Sequence, residues 1–465
     1  MQLREKSKSN PAELLSLAAE KAIRYVENAG ARRVSPVSPD LDALTGFHEP
    51  FPSGPSNPAD VLTQLDALGS PATVATTGGR YFGFVNGGMV PAAMAASWLA
   101  AVWNQNVALR VMSPVAAEFE DVVLAWICEA LGLPSSCHGG LVTCATMANF
   151  AALLAARQAL LKRAGWDVAE DGMFGAPPIQ VVVGEEVHAS ILKALSMAGF
   201  GRRRVRKVEA DGQGRMRADR LPPLSDRTIV CIQAGNVNTG AFDPAEEICA
   251  TAKKHGAWVH VDGAFGLWAR VSPKYAHVAR GFEDADSWAT DAHKWLNGGY
   301  DCGVVLLKNG DALRTALGIT AAYLEPGERR EPIHHTPDSS RRARGVELWA
   351  TLKSLGRTGL QDLVERTCAY AQRFANGLQS AGFEVLNDVV INQVLVSFGA
   401  PEVTREVIRR IQEDGTCWCG GTVWQGRTAM RISVSSWATT EADVDRSLEA
   451  MVRLARESPS VSSRA

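Results

Sequence analysis

Short apolar runs rich in β-branched residues alternate with stretches of helical apolar spacing through the middle of the chain. The runs lie at residues 179–184, 228–233, 257–261 and 301–307, and the helical stretches at 146–164, 189–198 and 245–255. Such alternation predicts an α/β fold in which helices cover both faces of a mostly parallel sheet. In a sheet of this kind, ligands bind beyond the carboxyl ends of the strands. The chemically active side chains are therefore expected where these runs end.

The two ends of the chain follow other patterns. Residues 11–30 have helical apolar spacing, and a stretch rich in proline, serine and glycine follows, which predicts an extended arm with little core of its own. After about residue 346, a long helical stretch precedes short strands, which predicts a small α+β domain. The predicted organisation is an N-terminal arm, a large α/β domain and a C-terminal small domain, at residues 1–80, 81–345 and 346–465.

Bulk properties argue against several classes of partner. The net charge of −2 gives no electrostatic reason to expect nucleic acid or an anionic membrane. No apolar run is long enough to span a bilayer, and the polar start lacks the apolar core of a signal peptide. The nine cysteines have no framework spacing, which predicts reduced thiols and a cytoplasmic location. Cys417 and Cys419 lack further ligands at metal-site spacing, so we expect no metal and interpret the pair as structural.

A lysine and an aspartate follow two strand-like parts of the chain. Lys294 lies in TDAHKWLN, residues 290–297, and Asp262 lies in HVDGAFGLW, residues 260–268. A buried lysine amine can form a Schiff base with an aldehyde, and a buried carboxylate can keep a pyridine nitrogen protonated. Pyridoxal 5′-phosphate (PLP) needs both groups. The pair therefore predicts a PLP site in which Lys294 and Asp262 are catalytic and bind the cofactor.

These motifs resemble those of the group II amino-acid decarboxylases, the family of the DOPA, tryptophan, tyrosine and glutamate decarboxylases. The resemblance runs from RYFGFVNGG, residues 80–88, to RISVSSW, residues 431–437. It implies the fold of a fold-type I PLP enzyme, with a seven-stranded sheet. It also implies a homodimer in which the N-terminal arm wraps around the partner subunit. The implied reaction is α-decarboxylation of an L-amino acid to an amine and CO2.

The resemblance assigns further residues to the cofactor. Ala145 and Thr146, in LVTCATMAN, match the two phosphate-binding positions, where a helix start offers backbone N–H groups. A plain helix cap is the alternative for Thr146, and both roles can hold together. Met147 departs from the family's usual glutamate. His293 matches a residue that donates to the phosphate, with a structural role in its loop as the alternative. Ala264 matches the residue that packs under the cofactor ring.

Three other segments complete the implied site. His188, in GEEVHASILKAL, matches a catalytic histidine that stacks on the cofactor ring and contacts the substrate carboxylate. The alternative is an ordinary helix-terminal or core histidine. Asn236 and Asn238, in GNVNTGAFDP, match the segment that contacts the 3-oxygen of the cofactor, where the family commonly has threonines. Arg431 matches a position with a structural or carboxylate-facing role.

The proton donor to the substrate Cα is expected in a loop. In DOPA decarboxylase-like enzymes this donor is a tyrosine, and the corresponding stretch here is 323–344. Tyr323 stands at its start, but His334 or His335 falls nearer the place of the catalytic tyrosine. Histidine is a competent general acid, so one of the two is the predicted donor. Other PLP reactions on an amino acid stay open: aldehyde synthesis, transamination or carbon–carbon bond cleavage.

Aromatic residues near the start of the resemblance suggest the substrate. Tyr81, Phe82 and Phe84 match the family's substrate-contacting segment and would suit an aromatic or apolar side chain. Ordinary core or interface packing is the alternative. The sequence shows no evident side chain that would bind a second substrate carboxylate. An aromatic amino acid is therefore the favoured substrate.

Overall fold

A seven-stranded sheet forms the centre of the large domain in this computed structural model, which describes residues 10–319 and 329–458. In chain order its strands are β1 (His138–Val142), β2 (Gln180–Gly184), β3 (Arg206–Val208), β4 (Thr228–Gln233), β5 (Trp258–Asp262), β6 (Ser287–Asp291) and β7 (Gly303–Leu307). They lie in the spatial order β1-β7-β6-β5-β4-β2-β3. Strands β2 to β6 pair in parallel, whereas β7 is antiparallel to both of its neighbours. The mostly parallel sheet expected from the sequence is confirmed.

The sheet is buried on both faces because neither side of its central strands is polar. Along β2, Val182 belongs to one apolar cluster, and its neighbours Val181 and Val183 belong to another on the opposite face. Such burial explains why these strands appear as continuous apolar runs. The sequence pattern does not reveal β3 and β6, because β3 is basic and β6 (SWATD) is partly polar. Hydrogen bonding to neighbouring strands places both in the sheet.

The N-terminal segment packs few of its side chains within its own chain. As far as the structure describes it, its helices are α1 (Pro11–Asn28), α2 (Ser38–Asp42), α3 (Pro58–Gln64) and α4 (Ser70–Ala72). None of the residues in these four helices is buried. The lack of buried side chains fits an arm with little core, but residues 38–47 are helical where the sequence predicts extended chain. Residues 1–9 of that predicted arm lie outside the described residues.

Helices cover both faces of the large sheet. The helices of this domain are α5 (Pro91–Trp103), α6 (Pro114–Ala130), α7 (Ala145–Arg163), α8 (Val168–Asp171), α9 (Ala189–Met197), α10 (Ala245–Lys254) and α11 (Asp311–Leu317). The buried side of α7 consists largely of alanine, including Ala148, Ala151 and Ala152. These short side chains let the helix lie close to the sheet, which fixes the position of its N-terminus. None of the helices in the described ranges is both long and apolar enough to cross a membrane.

A second sheet and three helices form the C-terminal small domain of the described chain. The elements are α12 (Gly345–Ser380), β8 (Glu384–Val385), β9 (Gln393–Ser397), α13 (Pro401–Asp414), β10 (Gly420–Trp424), β11 (Arg427–Ser433) and α14 (Glu441–Arg456). The strands are antiparallel in the order β10-β11-β9-β8. Helix α12 is interrupted at Gly356, whose φ of 59° favours glycine.

The cysteine pair of the small domain lies in its core. Cys417 and Cys419 are both 0% exposed and belong to the same apolar cluster as Phe374 and Met430. This placement agrees with the structural interpretation. Among the residues that the structure describes, no group of three or more potential ligands could hold a metal ion.

A buried ion network ties the segment before α12 to the large domain. Glu120, on α6, accepts hydrogen bonds from Arg341 at 2.8 and 3.0 Å and from Arg330 at 2.7 Å. The same arginines donate to main-chain oxygens of β1, at Leu141 and Gly139. Burial opposes ionisation of Glu120, but the two arginines outweigh it and lower the pKa of this carboxyl. The network thus requires both the negative charge of Glu120 and the positive charges of the two arginines.

Replacement of Glu120 by alanine should strongly destabilise the fold. It leaves Arg341, whose side chain is 2% exposed, without its carboxylate partner. Breaking a buried pair in this way costs about 3–5 kcal/mol, which urea denaturation can measure. The control is Glu129→Ala on the same helix, because the Glu129–Arg357 pair is exposed and contributes about 1 kcal/mol or less. Equal losses in the two variants would contradict the assigned role of the network.

Candidate active site

Functional side chains gather at the edge of the large sheet where β5 and β6 end. Asp262 and Asp291 are the last residues of these neighbouring strands, and Lys294 follows in the next turn. Strand β1 ends at the same edge, because its two antiparallel steps through β7 give it the direction of β6. The start of α7, at Ala145, therefore faces the same space. The tertiary structure thus brings together the two residues on which the sequence prediction rests.

Asp262 is a buried carboxylate at the end of β5. It is 6% exposed, and its Oδ1 accepts a hydrogen bond from the main-chain N–H of Ala264 at 3.2 Å. Burial raises the pKa of the carboxyl, although the neighbouring His188 and Lys294 oppose the shift. A carboxylate in such surroundings gains most from a cationic partner. Asp262 is therefore suited to bind a protonated ring nitrogen.

His188 caps α9 and lies near Asp262. Its Nδ1 accepts a hydrogen bond from the main-chain N–H of Ser190 at 3.2 Å and lies 2.7 Å from the Ser190 hydroxyl. The residue His188 is exposed overall, but neighbouring protein atoms desolvate its ring and lower its pKa, against the opposing charge of Asp262. The ring is therefore uncharged at neutral pH, which suits stacking on another ring. The helix-terminal role is present as well, so the two interpretations of this residue are compatible.

Lys294 lies beside a carboxylate that the sequence analysis did not select. Its Nζ is 3.1 Å from Asp291 Oδ2, and the lysine side chain is 20% exposed. Asp291 Oδ1 accepts a hydrogen bond from the main-chain N–H of Ala145 at 2.5 Å. Asp291 thus bridges the predicted Schiff-base lysine and a predicted phosphate-binding amide. Its place at a strand end, three residues before the lysine, is the signal that could have identified it.

A strained segment packs against the main chain of Lys294. A Cβ atom at Gly87 would overlap the carbonyl oxygen of Lys294, so this close approach requires glycine. Phe84 and Val85 precede it with φ angles of 53° and 60°, which residues with a side chain rarely adopt. Strain of this kind concentrates at functional sites. The segment therefore belongs to the candidate site.

His293 is held in place by Tyr300, which the sequence prediction did not include. Its Nδ1 lies 3.1 Å from the carbonyl oxygen of Cys302, and its ring stacks on Tyr300 with the centroids 4.4 Å apart. The Tyr300 hydroxyl donates to Asn86 Oδ1 at 2.7 Å. Burial lowers the pKa of His293, so its ring is uncharged at neutral pH. The structural role in the loop is therefore present, and donation to a phosphate would require a proton on Nε2.

Ala145, Thr146 and Ala264 occupy positions that suit their implied roles. Ala145 and Thr146 are the first two residues of α7, whose N-terminus offers backbone N–H groups. The cap residue of this helix is Cys144, so the interpretation of Thr146 as a plain cap is wrong. The carbonyl oxygen of Ala264 accepts from the main-chain N–H of Asp291 at 2.9 Å, which joins the ends of β5 and β6.

The two asparagines after β4 have different environments. Asn236 is 1% exposed, and its Oδ1 accepts from the main-chain N–H groups of Asn238 and Thr239 at 2.8 and 3.3 Å. Its contacts therefore shape the loop. Asn238 Oδ1 accepts from the Thr422 hydroxyl at 3.0 Å and from the Arg431 guanidinium at 3.5 Å. Asn238 thus connects the loop with the small domain, next to Arg431.

In the described part of the chain, the two loop histidines contact residues other than those of the candidate site. His335 is 8% exposed and lies near Glu120, and His334 Nδ1 accepts from the main-chain N–H of Ile319 at 3.3 Å. Burial lowers the pKa of His335 to about 3, so this ring is uncharged at neutral pH and is a poor proton donor. Nothing in the described part of the chain supports the prediction that His334 or His335 protonates Cα. Tyr323 lies outside the described residues.

Of the three aromatic residues in the 81–84 segment, one lies in the core and two pack against a tryptophan. Phe82 is 1% exposed and packs edge-on against Phe374 at 5.0 Å, which favours the core alternative for it. Tyr81 stacks on Trp418 at 5.0 Å, and Phe84 lies against the same indole at 5.4 Å. Phe84 is 59% exposed. Trp418 was missed because its distant position in the chain gives no sign of this contact.

Comparison with known proteins identifies the family. Residues 59–400 match the model of the pyridoxal-dependent decarboxylase conserved domain. The chain belongs to this family. Tryptophan decarboxylase 1 of Oryza sativa subsp. japonica is 27% identical over 445 residues, which cover 86% of this chain and 85% of the relative. The acidic amino acid decarboxylase GADL1 of Mus musculus is 29% identical over 361 residues, with coverage of 74% and 64%.

A solved structure supports the fold independently. The crystal structure of Oryza sativa TDC with PLP and tryptamine matches with a TM-score of 0.88 and 24% identity, over 97% of this chain and 99% of that chain. The family match and the curated relatives make the protein a PLP-dependent amino-acid decarboxylase. The residues present fit the cofactor: a buried carboxylate, a lysine amine and a helix N-terminus converge on one space. Bound PLP supplies the electron sink that decarboxylation requires.

Replacement of Lys294 by alanine should remove the covalent attachment of the cofactor. Borohydride reduction followed by peptide mapping should label Lys294 in the wild type and leave the K294A variant unlabelled. Lys308→Ala, a change at the end of β7, serves as the control and should retain the label. A borohydride-trapped adduct at another lysine of the K294A variant would show that Lys294 is not the Schiff-base residue.

Proposed function

We propose that the protein catalyses α-decarboxylation of an aromatic L-amino acid to the amine and CO2. The observation that carries the choice of substrate is the stack of Tyr81, Trp418 and Phe84. Its outermost ring, Phe84, is 59% exposed and lies three residues before Gly87, which packs on Lys294. An aromatic substrate side chain can extend this stack at its open end. Aromatic pairs in offset or edge-on geometry gain about 0.5–1.5 kcal/mol beyond the burial of their area.

Arg431 is the proposed partner of the substrate α-carboxylate. Its guanidinium donates to Asn238 at 3.5 Å, and burial lowers its pKa. It forms no ion pair with a carboxylate of the described residues, and it lies close enough to His188 to affect the charge of that ring. A half-buried cation without a counter-ion favours binding of an anion. Arg431 would orient the substrate and leave its side chain free to reach the aromatic stack.

The other site residues have complementary proposed roles. Asp262 holds a proton on the cofactor ring nitrogen, and Lys294 binds the cofactor covalently. His188 stacks on the ring, while Ala264 allows the ring to lie close to the main chain. The N-terminus of α7 at Ala145 provides N–H groups for the phosphate. Thr146 and His293 are expected near that phosphate as well.

A substrate panel tests this function. We expect wild-type protein to release CO2 and amine from aromatic L-amino acids faster than from acidic or aliphatic ones. Replacement of Phe84 by alanine should lower kcat/KM for aromatic substrates about 10-fold or more, since burial of an aromatic side chain contributes about 1.5–3 kcal/mol. Phe174→Ala, at a position 99% exposed, is the control and should change nothing.

Different outcomes of the panel contradict different parts of the proposal. Faster turnover of acidic substrates would refute the aromatic assignment while retaining decarboxylation. Formation of aldehyde or keto acid in place of amine would refute simple decarboxylation and favour another PLP reaction. Equal losses for aromatic and aliphatic substrates in the F84A variant would show that Phe84 does not read the side chain.

We also propose that the protein is a cytoplasmic homodimer. Helix α5 exposes four large apolar side chains. They are Trp98, Leu99, Val102 and Trp103, which are 44%, 54%, 61% and 41% exposed. Helix α1 adds Leu15, Ile23 and Val26, at 52%, 55% and 46%. Exposed apolar side chains grouped in this way are typical of a protein–protein interface. The arm and α5 of a second copy of the chain would cover them. The nine cysteines are all free in the described structure, which agrees with a reducing compartment.

Light scattering should give about twice the 49.8 kDa mass of one chain. Replacement of Val102 by glutamate should shift the protein towards the monomer, because it would bury a charge in the apolar interface. The control is Val423→Glu in β10, at a position of similar exposure, 64%, outside the proposed interface. A monomeric wild-type enzyme with full activity would exclude the dimer.

A further inference from the structure

The carboxylate of Asp291 occupies both groups that the cofactor must use. Its Oδ1 accepts from the main-chain N–H of Ala145 at 2.5 Å, and its Oδ2 lies 3.1 Å from Lys294 Nζ. The N–H of Ala145 is a phosphate-binding amide in the implied site, and the lysine amine is the covalent attachment point. Neither the N–H of Ala145 nor the amine of Lys294 can bind Asp291 and the cofactor in the same way at the same time.

The surroundings of Asp291 make this competition strong. Its side chain is 3% exposed, so water screens its charge only weakly. The arriving phosphate is anionic and would sit at the same helix N-terminus, close to the carboxylate. If Lys294 were bonded to the cofactor aldehyde, its amine would no longer be a free ammonium partner of Asp291. His293 Nδ1, 3.7 Å from Asp291 Oδ1, is a nearby alternative partner, but it already contacts the carbonyl oxygen of Cys302.

We propose that Asp291 is an internal competitor of the cofactor phosphate, which pairs with Ala145 N–H and Lys294 in the cofactor-free protein and must give up both when PLP binds. The carboxylate stabilises the protein without cofactor and weakens cofactor affinity. It also keeps the lysine next to the phosphate-binding turn. Asp291 is in this sense a positioning residue for cofactor loading. The proposal depends on the PLP site and not on which amino acid is decarboxylated.

The test compares Asp291→Asn with wild type, using the full-length protein after cofactor removal. The probes are pyridoxine 5′-phosphate, which has the phosphate but no aldehyde, and pyridoxal, which has the aldehyde but no phosphate. Asparagine keeps the size of the side chain and can still accept from Ala145, but it carries no charge. We expect pyridoxine 5′-phosphate to bind the variant about 10-fold tighter or more, in view of the repulsion removed at low dielectric. Pyridoxal should gain much less, and Tm of the cofactor-free variant should fall by about 1–3 °C.

Asp286→Asn provides a matched control. Asp286 lies immediately before β6, at the other end of the same strand, and its Oδ2 accepts from the main-chain N–H of Val259 at 2.8 Å. It is therefore also a carboxylate that binds a backbone amide, but it lies away from the cofactor edge. Its replacement should lower Tm and leave the affinity for both probes unchanged. If Asp291→Asn does not fold, Asp291→Ser is the second variant, with the same expected tightening of the phosphate probe.

Three results would overturn the proposal. Weaker binding of pyridoxine 5′-phosphate to the D291N variant would make Asp291 a ligand of the phosphate. Unchanged binding would show that the two do not compete. An equal gain for pyridoxal would place the competition at Lys294 alone. Because these are binding measurements without substrate, they stand or fall separately from the aromatic decarboxylation proposed above.

Discussion

The candidate site depends on one strand that runs against the direction of the sheet. Strand β7 lies antiparallel between β6 and β1, so β1 ends at the same edge as β5 and β6. The start of α7 is thereby brought to Asp291. Gly303, the first residue of β7, approaches Cys144 so closely that a Cβ atom would overlap its main chain. A side chain at this glycine would displace the turn that is expected to bind the phosphate.

Desolvation shifts the pKa of three side chains at this edge. Asp262 lies where burial raises its pKa, and His188 and His293 lie where burial lowers theirs. Two rings are therefore neutral. Lys294 opposes the shift of Asp262 and pairs with Asp291, while Arg431 donates to Asn238. This arrangement suits an anionic, aromatic cofactor whose ring nitrogen is protonated.

Part of the site could be predicted because its signals are local. Asp262 ends an apolar strand, Lys294 lies in a short recognisable motif, and so does the turn before α7. Asp291 lies in the same motif as Lys294, but its role depends on Ala145, which is 146 residues away in the chain. The same reason explains why Trp418 was missed and why Phe82 was assigned to the substrate. For His335, the sequence shows a competent acid, whereas burial against the large domain lowers its pKa to about 3.

The sequence by itself determined the fold class and the cofactor, and it predicted the main site residues, because apolar periodicity and short motifs are properties of neighbouring residues. The alternation of strands and helices was sufficient to predict a mostly parallel sheet with a ligand at its carboxyl edge. Only the tertiary structure decided which distant groups share a space: Asp291 with Ala145, Trp418 with Phe84, Arg431 with Asn238. Those contacts, and the burial that sets each charge, depend on how the strands pair and how the two domains pack, which no local pattern encodes.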